Sequence, residues 1–290
     1  MSDKDTNNID DVTGVETTGH SWDGIEELNN PLPRWWLWIL YATVVWGIGY
    51  TIAYPAWPMI SGATSGMLGF STRGEVATDI AEHEAKNDGL VTELLAVELA
   101  TLAPEDDLHR YAVSRGASVF RAQCSQCHGS GAAGAKGYPN LLDDAWLWGG
   151  DVDNIAHTVA HGIRNETDFD ARYSEMPAFD EIFSDEEVSD VVEYVVSLSS
   201  SEYDAALAAR GAELFVDNCS ACHGDAAMGN IDLGAPNLAD AIWLYGGDRA
   251  TLEETVRYSR YGVMPAWGQR ISEADVRAVS IYVHSLGGGE

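Results

Sequence analysis

Lysine is nearly absent from this sequence of 290 residues. Only Lys4, Lys86 and Lys136 occur, and all Lys and Arg together number 16 against 46 Asp and Glu, for a net charge of −30. That balance excludes nucleic acid as a partner, because neutralising phosphates takes clustered positive charge. The acidity instead suits attraction of a basic protein partner, or a general surface for a saline habitat, and both readings stand. The sequence also offers no nucleophile–base pair of the kind that bond-making catalysis needs, so no catalytic residue is assigned. Cysteine is scarce as well, with four in the whole chain.

Charge is missing altogether from Trp35 to Trp57, "WWLWILYATVVWGIGYTIAYPAW". A helix needs about 20 apolar residues to cross a bilayer. Trp35, Trp36 and Trp38 at one end, with Tyr54 and Trp57 at the other, form the aromatic belts expected at two lipid–water interfaces. Gly49 and Ala53 make a small-xxx-small pair where another helix could approach closely. The preceding residues 1–34 are polar and acidic and no small-residue cleavage site clearly follows, so the segment reads as an uncleaved single anchor and not a secretory signal. Residues 58–108 read as a partly helical linker. Its leucines, Leu90, Leu94, Leu95 and Leu102 with Val97, suggest a broken amphipathic helix that docks on a partner or acts as a tether.

All four cysteines fall in two copies of one pattern, "CSQCH" at 124–128 and "CSACH" at 219–223. Structural zinc would pair cysteines with spaced histidines, a thioredoxin-type redox pair would want a βαβ context, and structural disulfides call for no histidine at the fifth position. Covalent haem c attachment does. Residues three and four apart share one helical face. Two sulfurs at that spacing reach the two vinyl groups of one haem, and the next residue turns its imidazole to the iron. Cys124, Cys127 and His128 are thus candidates to hold one haem c, and Cys219, Cys222 and His223 a second.

The repetition extends well past the motif. "GASVFRAQCSQCHG" (116–129) parallels "GAELFVDNCSACHG" (211–224), "PNLLDDAWLWGGD" (139–151) parallels "PNLADAIWLYGGD" (236–248), and "DEEVSDVVEYVVSL" (185–198) parallels "EADVRAVSIYVHSL" (273–286). Two tandem all-helical units follow, 109–200 and 204–290. Each has a helix before its Cys motif, Gly-rich loops after it, and a closing helix capped by Ser184 with Glu187 or Ser272 with Asp275. Phe120 and Phe215 are candidates to pack between first helix, haem and last helix. Gly116 with Tyr194, and Gly211 with Tyr282, are candidates for the close crossing of first and last helix in each unit.

The sixth iron ligand decides between electron transfer and small-molecule binding. Met1, Met59 and Met67 lie far from either unit, and Met228 is too near His223. Met176 and Met264 remain, each in a recurring Met-Pro-Ala-aromatic motif, and a His/Met pair raises the potential of a haem. His161, four residues after His157 on an expected helix, is a rival ligand in the first unit or a polar group at the haem edge. Pro139 and Pro236 are candidates to accept hydrogen bonds from the proximal histidines. Trp146, Trp243 and Arg164 are candidates to contact haem propionates. Because bacteria attach haem c outside the cytoplasm, the units are expected in the periplasm of an inner-membrane protein, with the N-terminus cytoplasmic.

The order of a tail containing "WDGIEELNNPLPRWW", one span ending in "YPAWP", a linker and two haem units, the first containing "HGIR", resembles the CcoP/FixP family, the di-haem subunit III of cbb3-type cytochrome c oxidases. The resemblance implies two class I cytochrome c folds, His/Met ligation of both haems, and electron transfer from a periplasmic cytochrome c towards an oxygen-reducing site. It implies as partners a catalytic subunit with b-type haems and copper and a mono-haem c subunit. Two rivals remain: a stand-alone membrane-anchored di-haem carrier, and a di-haem peroxidase or sulfur-compound oxidoreductase, against which the paired Met-Pro motifs argue.

Overall fold

The computed structural model describes residues 8–289. The chain forms two compact units that divide at residues 85 and 86.

The first unit opens with a hairpin in the segment expected as a polar, acidic tail: β1 (Thr17–Trp22) pairs antiparallel with β2 (Ile25–Leu28), Trp22 facing Ile25. Asp23 (φ 50°) and Gly24 (φ 83°) turn it. Two left-handed residues in succession make the type I′ turn that Asp-Gly favours, because its twist matches that of the strands. Helix α1 (Arg34–Ala53) follows Pro33 and buries none of its residues. A helix apolar on every side suits a lipid surround, and 20 residues at 1.5 Å each span about 30 Å. The helix ends at Ala53 and does not run to Trp57 as expected. Pro55 drives the residue before it out of helical geometry, and Tyr54 is extended (φ −114°, ψ 161°). The last carbonyls are instead met by returning chain: Met67 N–H donates to Ile52 O (2.9 Å) and Leu68 N–H to Ala53 O (3.0 Å). Between them, β3 (Pro58–Met59) and β4 (Gly62–Ala63) form a second small hairpin. Helix α2 (Thr72–Ala96) leads out of this unit.

The second unit holds both repeats. The first contains α3 (Asp107–Val119), a π-turn over Phe120–Cys124, α4 (Ser125–His128), α5 (Val152–His161) and α6 (Asp185–Ser199). The second contains α7 (Ala205–Asn218), α8 (Ser220–His223), α9 (Arg249–Tyr258) and α10 (Glu273–His284). The predicted caps form. Ser184 and Glu187 make a reciprocal capping box at α6, and Ser272 Oγ accepts from Asp275 N–H (3.2 Å) at α10.

The closing helices are exchanged between the repeats. Helix α10 packs on α3 and α5, and α6 packs on α7 and α9. The first bundle therefore surrounds Phe120, Ile155 and Val159 from one repeat with Val276, Val279 and Val283 from the other. The second surrounds Phe215 and Leu252 with Phe179, Val188, Val191 and Val192. The expected glycine pairings are overturned in the same sense. A β-carbon on Gly116 would overlap Ala278 O and stand 2.7 Å from Tyr282 Cβ, and one on Gly211 would overlap Asp190 O and stand 2.9 Å from Tyr194 Cβ. The cause is the connection. Only residues 200–204 separate α6 from α7, and helices joined by so short a loop pack as neighbours. The linker's second half docks within this unit, on the first bundle: Leu94 and Leu99 join Leu108, Ala112 and Ile281 in one buried cluster, and Arg277 Nε donates to Leu94 O (2.7 Å).

Candidate functional site

Each Cys-x-x-Cys-His motif ends in a single helical turn, α4 or α8, which stops at a glycine in the left-handed region, Gly129 (φ 77°) or Gly224 (φ 78°). The following loop returns to the histidine: Gly134 N–H donates to His128 O and Gly229 N–H to His223 O, both at 2.8 Å. It then presents a proline carbonyl to the ring. His128 Nδ1 lies 3.0 Å from Pro139 O, and His223 Nδ1 lies 3.0 Å from Pro236 O. A carbonyl can only accept, so Nδ1 carries the proton and Nε2 keeps its lone pair, the state a metal-ligating histidine takes. Burial lowers the pKa of both imidazoles, against the raising effect of these same hydrogen bonds, and so favours the neutral form.

Cys124 and Cys219 are half-buried and Cys127 and Cys222 exposed. Burial, then the neighbouring cysteine, pushes the Cys124 and Cys219 thiols up to about 11. Such thiols lack the lowered pKa of a redox-active Cys-x-x-Cys pair.

The methionines go with the exchanged helices. Met264 packs against the buried cluster of the first bundle, which includes Phe120, Ile155 and Val159 and against which Cys124 also packs, and its backbone pairs with Ile163 in both directions (3.0 and 3.1 Å). Met176 packs against the buried cluster of the second bundle, which includes Phe179, Val191 and Phe215 and against which Cys219 also packs. There it lines a cavity of about 270 Å³ together with Cys219, Cys222, His223, Leu238 and Trp243. Sulfur and imidazole in one apolar cleft, with two thiols beside them, fit a haem bound through both cysteines. Each methionine thus lies with the Cys motif of the other repeat.

The remaining candidates are placed as follows. Trp146 and Trp243 occupy matching positions in the first and second clusters, and Trp146 Nε1–H is taken up by Asp143 O (2.8 Å). His161 Nδ1 lies 3.1 and 3.3 Å from the two carboxylate oxygens of Asp168, and its ring is 4.7 Å from that of His157. His161, Asp168 and Asp170 bring one donor atom each within 4.8 Å of one another. Arg164, from the first repeat, lines the cavity of the second bundle, where burial lowers its pKa. Sequence reasoning missed Arg260, which lines the same cavity and stacks 4.8 Å over Tyr245; the two repeats differ at this point and no repeated motif marks it. It also missed the junction of the two sites, where Gly137 N–H donates to Leu244 O (2.8 Å) and Trp148 fills the space beside Gly234.

Comparison with known proteins agrees with this architecture. Residues 14–61 match the N-terminal domain of cytochrome oxidase-cbb3, FixP, and residues 112–195 and 206–283 each match the family described as cytochrome c oxidase, cbb3-type, subunit III. The cbb3-type cytochrome c oxidase subunit CcoP of Cereibacter sphaeroides is 59% identical over 276 residues, covering 94% of this chain and 95% of that protein. The FixP subunit of Sinorhizobium medicae is 49% identical over 291 residues and the CcoP subunit of Rhodobacter capsulatus 50% over 287, with at least 95% of each chain covered. Two cytochrome units with one Cys-x-x-Cys-His motif apiece correspond to two covalent haem c groups per chain. From its N-terminal hairpin to its last helix, the chain belongs to the CcoP/FixP family, the membrane-associated di-haem electron-transfer subunit III of cbb3-type cytochrome c oxidases.

Proposed function

We propose that the two haems are ligated crosswise. Cys124, Cys127 and His128 hold the first haem with Met264 from the second repeat, and Cys219, Cys222 and His223 hold the second with Met176 from the first. The observation that carries this is the clustering of Met264 with Cys124 and Phe120 and of Met176 with Cys219 and Phe215. Each haem, when bound, supplies one-electron redox chemistry at an iron whose His/Met ligation favours a raised potential. The protein's part is to hold neutral imidazoles through Pro139 and Pro236, to keep water out with apolar walls, and to fix the distance between the sites. Leu147 of the first repeat lines the second cavity and Gly137 bonds Leu244, which supports direct transfer from one haem to the other within this chain. His161, engaged by Asp168, is given a polar role at the edge of the first bundle. Arg164 and Trp243, both lining the second cavity, are assigned to contact with a haem propionate.

In this reading α1 spans the inner membrane once, with the haem units periplasmic and the N-terminus cytoplasmic. A periplasmic cytochrome c delivers electrons, which pass to a catalytic subunit with b-type haems and copper that assembles with a mono-haem c subunit. The net charge of −30 supports attraction of a basic donor.

The experiment is substitution of Met176→His in the complex purified through this chain, with potentiometric titration of the c haems. The haem attached at Cys219 and Cys222 is expected to take by far the larger fall in potential, and the haem at Cys124 and Cys127 the smaller. The opposite assignment would restore ligation within each repeat. Parallel b-haem and copper analysis of the same sample tests the partners: c haem alone would favour a stand-alone carrier.

A further inference from the structure

Arg164 stands just beyond α5 with φ of 51°, a left-handed conformation rare for an arginine. The flanking backbone is tied down: Arg164 N–H donates to Arg172 O (2.8 Å), and Ile163 pairs with Met264. From this fixed point the guanidinium reaches two loops at once. Nε donates to Ser174 O (2.6 Å), two residues before Met176, and Nη1 donates to Gly262 O (2.9 Å), two residues before Met264. The same group stacks 5.5 Å over Tyr261. One planar cation therefore grips the main chain of both Met-Pro segments at matching positions. Arg260 makes no such bridge: its guanidinium donates to Thr251, Thr255 and Glu254, all on α9 of its own repeat.

We propose that Arg164 is a positioning residue that couples the two methionine loops, so that sulfur ligation at one haem is linked to sulfur ligation at the other. The proposal rests on Met176 and Met264 being iron ligands. A guanidinium suits the task because its donors are set in a rigid fork, whereas the lysine ammonium is a point charge on a flexible stem. The Nε and Nη1 of Arg164, set apart and facing different directions, each reach one of the two carbonyls. Because each loop comes from a different repeat and serves a different bundle, freeing one carbonyl also slackens the hold on the other. The simpler alternative is that Arg164 serves only the second cavity, which it lines, as a contact to a haem propionate there.

The test uses the intact complex carrying R164Q or R164K. It reads the two c-haem potentials, the charge-transfer absorption that marks a methionine–ferric iron bond, and carbon monoxide uptake by the reduced c haems. Wild type, M176H and M264H identify which wave belongs to which haem. Coupling predicts that R164Q lowers both potentials, reduces the methionine–iron absorption at both haems and opens both to carbon monoxide, with R164K intermediate at both because its single nitrogen cannot stand at the two separate donor positions of the fork. A response confined to the haem at Cys219 and Cys222 overturns the coupling and leaves the propionate contact, and no response in either variant overturns it outright. If R164Q fails to assemble, R164K alone decides between a paired and a single response. Wild-type protein without any methionine–iron absorption would instead overturn the ligand reading on which the proposal stands.

Discussion

Gly116 on α3 lies against the carbonyl of Ala278 on α10, with no room between them for a β-carbon. The same contact recurs between Gly211 on α7 and Asp190 on α6. At both crossings the glycine comes from one repeat and the carbonyl from the other, and an aromatic pair follows: Phe120 with Tyr282 (5.4 Å between centroids) and Phe215 with Tyr194 (5.0 Å).

Gly116→Ala should force α10 away from α3, at about 1–3 kcal/mol for overpacking of this kind. Because the segment bearing Met264 leads into α10, the haem at Cys124 and Cys127 should lose methionine–iron absorption. Gly211→Ala should act on the haem at Cys219 and Cys222 through α6 and Met176. Thermal unfolding and absorption spectra of the two variants check the assignment; the reverse pattern would contradict the exchange.

Cutting the chain between α6 and α7, at residues 200–203, should not separate the repeats. Each fragment holds the closing helix of the other's bundle, so a protease site inserted there should give two fragments that co-elute on native size exclusion and part only in denaturant. Separate elution of intact, folded halves would show that each repeat closes on itself.

The sequence made the chemistry legible and the pairing illegible for one physical reason. Cysteine, histidine and methionine positions follow from what a haem needs, and those needs are local in the chain. Helices α6 and α10, however, present equivalent faces, Val188 with Val276, Val191 with Val279 and Tyr194 with Tyr282, so either could close either bundle. Only the short 200–204 connection favours the exchanged form. The N-terminal hairpin was readable from Asp23-Gly24, but the surrounding polar residues masked its strands. The end of α1 at Ala53 was readable from Pro55, which hydropathy alone passes over. Arg164 as a bridge was beyond reach, since its two acceptors are backbone carbonyls that no pattern of side chains marks.

Leu94 is fully buried where the linker meets the first bundle. Leu94→Ala should cost about 2–5 kcal/mol, the range for a leucine emptied from a packed core. The loss should appear in denaturant unfolding of the first bundle and as faster proteolysis around residues 90–102. Unchanged stability would mean that the linker only rests on the surface.

Glu193 is buried on α6, where it accepts from Arg249 of α9 and from the Asp204 N–H (3.0 Å) at the start of α7. The hydrogen bond from Arg249 holds its carboxyl below the ordinary value of 4.5, despite desolvation. A carboxylate lowered in the folded state contributes stability above its unfolded pKa, and that contribution disappears as pH falls through the folded one. Thermal unfolding should therefore be insensitive to Glu193 titration near neutrality and weaken below about pH 4.5. Glu193→Gln should be less stable at neutral pH and lose less on acidification; parallel curves for the two proteins would remove Glu193 from the acid transition.

The exchange of closing helices also sets an order on biosynthesis. The first Cys-x-x-Cys-His motif emerges from the ribosome long before α10, yet its bundle is complete only when α10 has been made and has folded back onto α3. Haem can be joined to Cys124 and Cys127 early, but that site can settle only after α10 has been made. Chains truncated before α10 would carry a defect in the first haem site, while the second, closed by α6, stays whole.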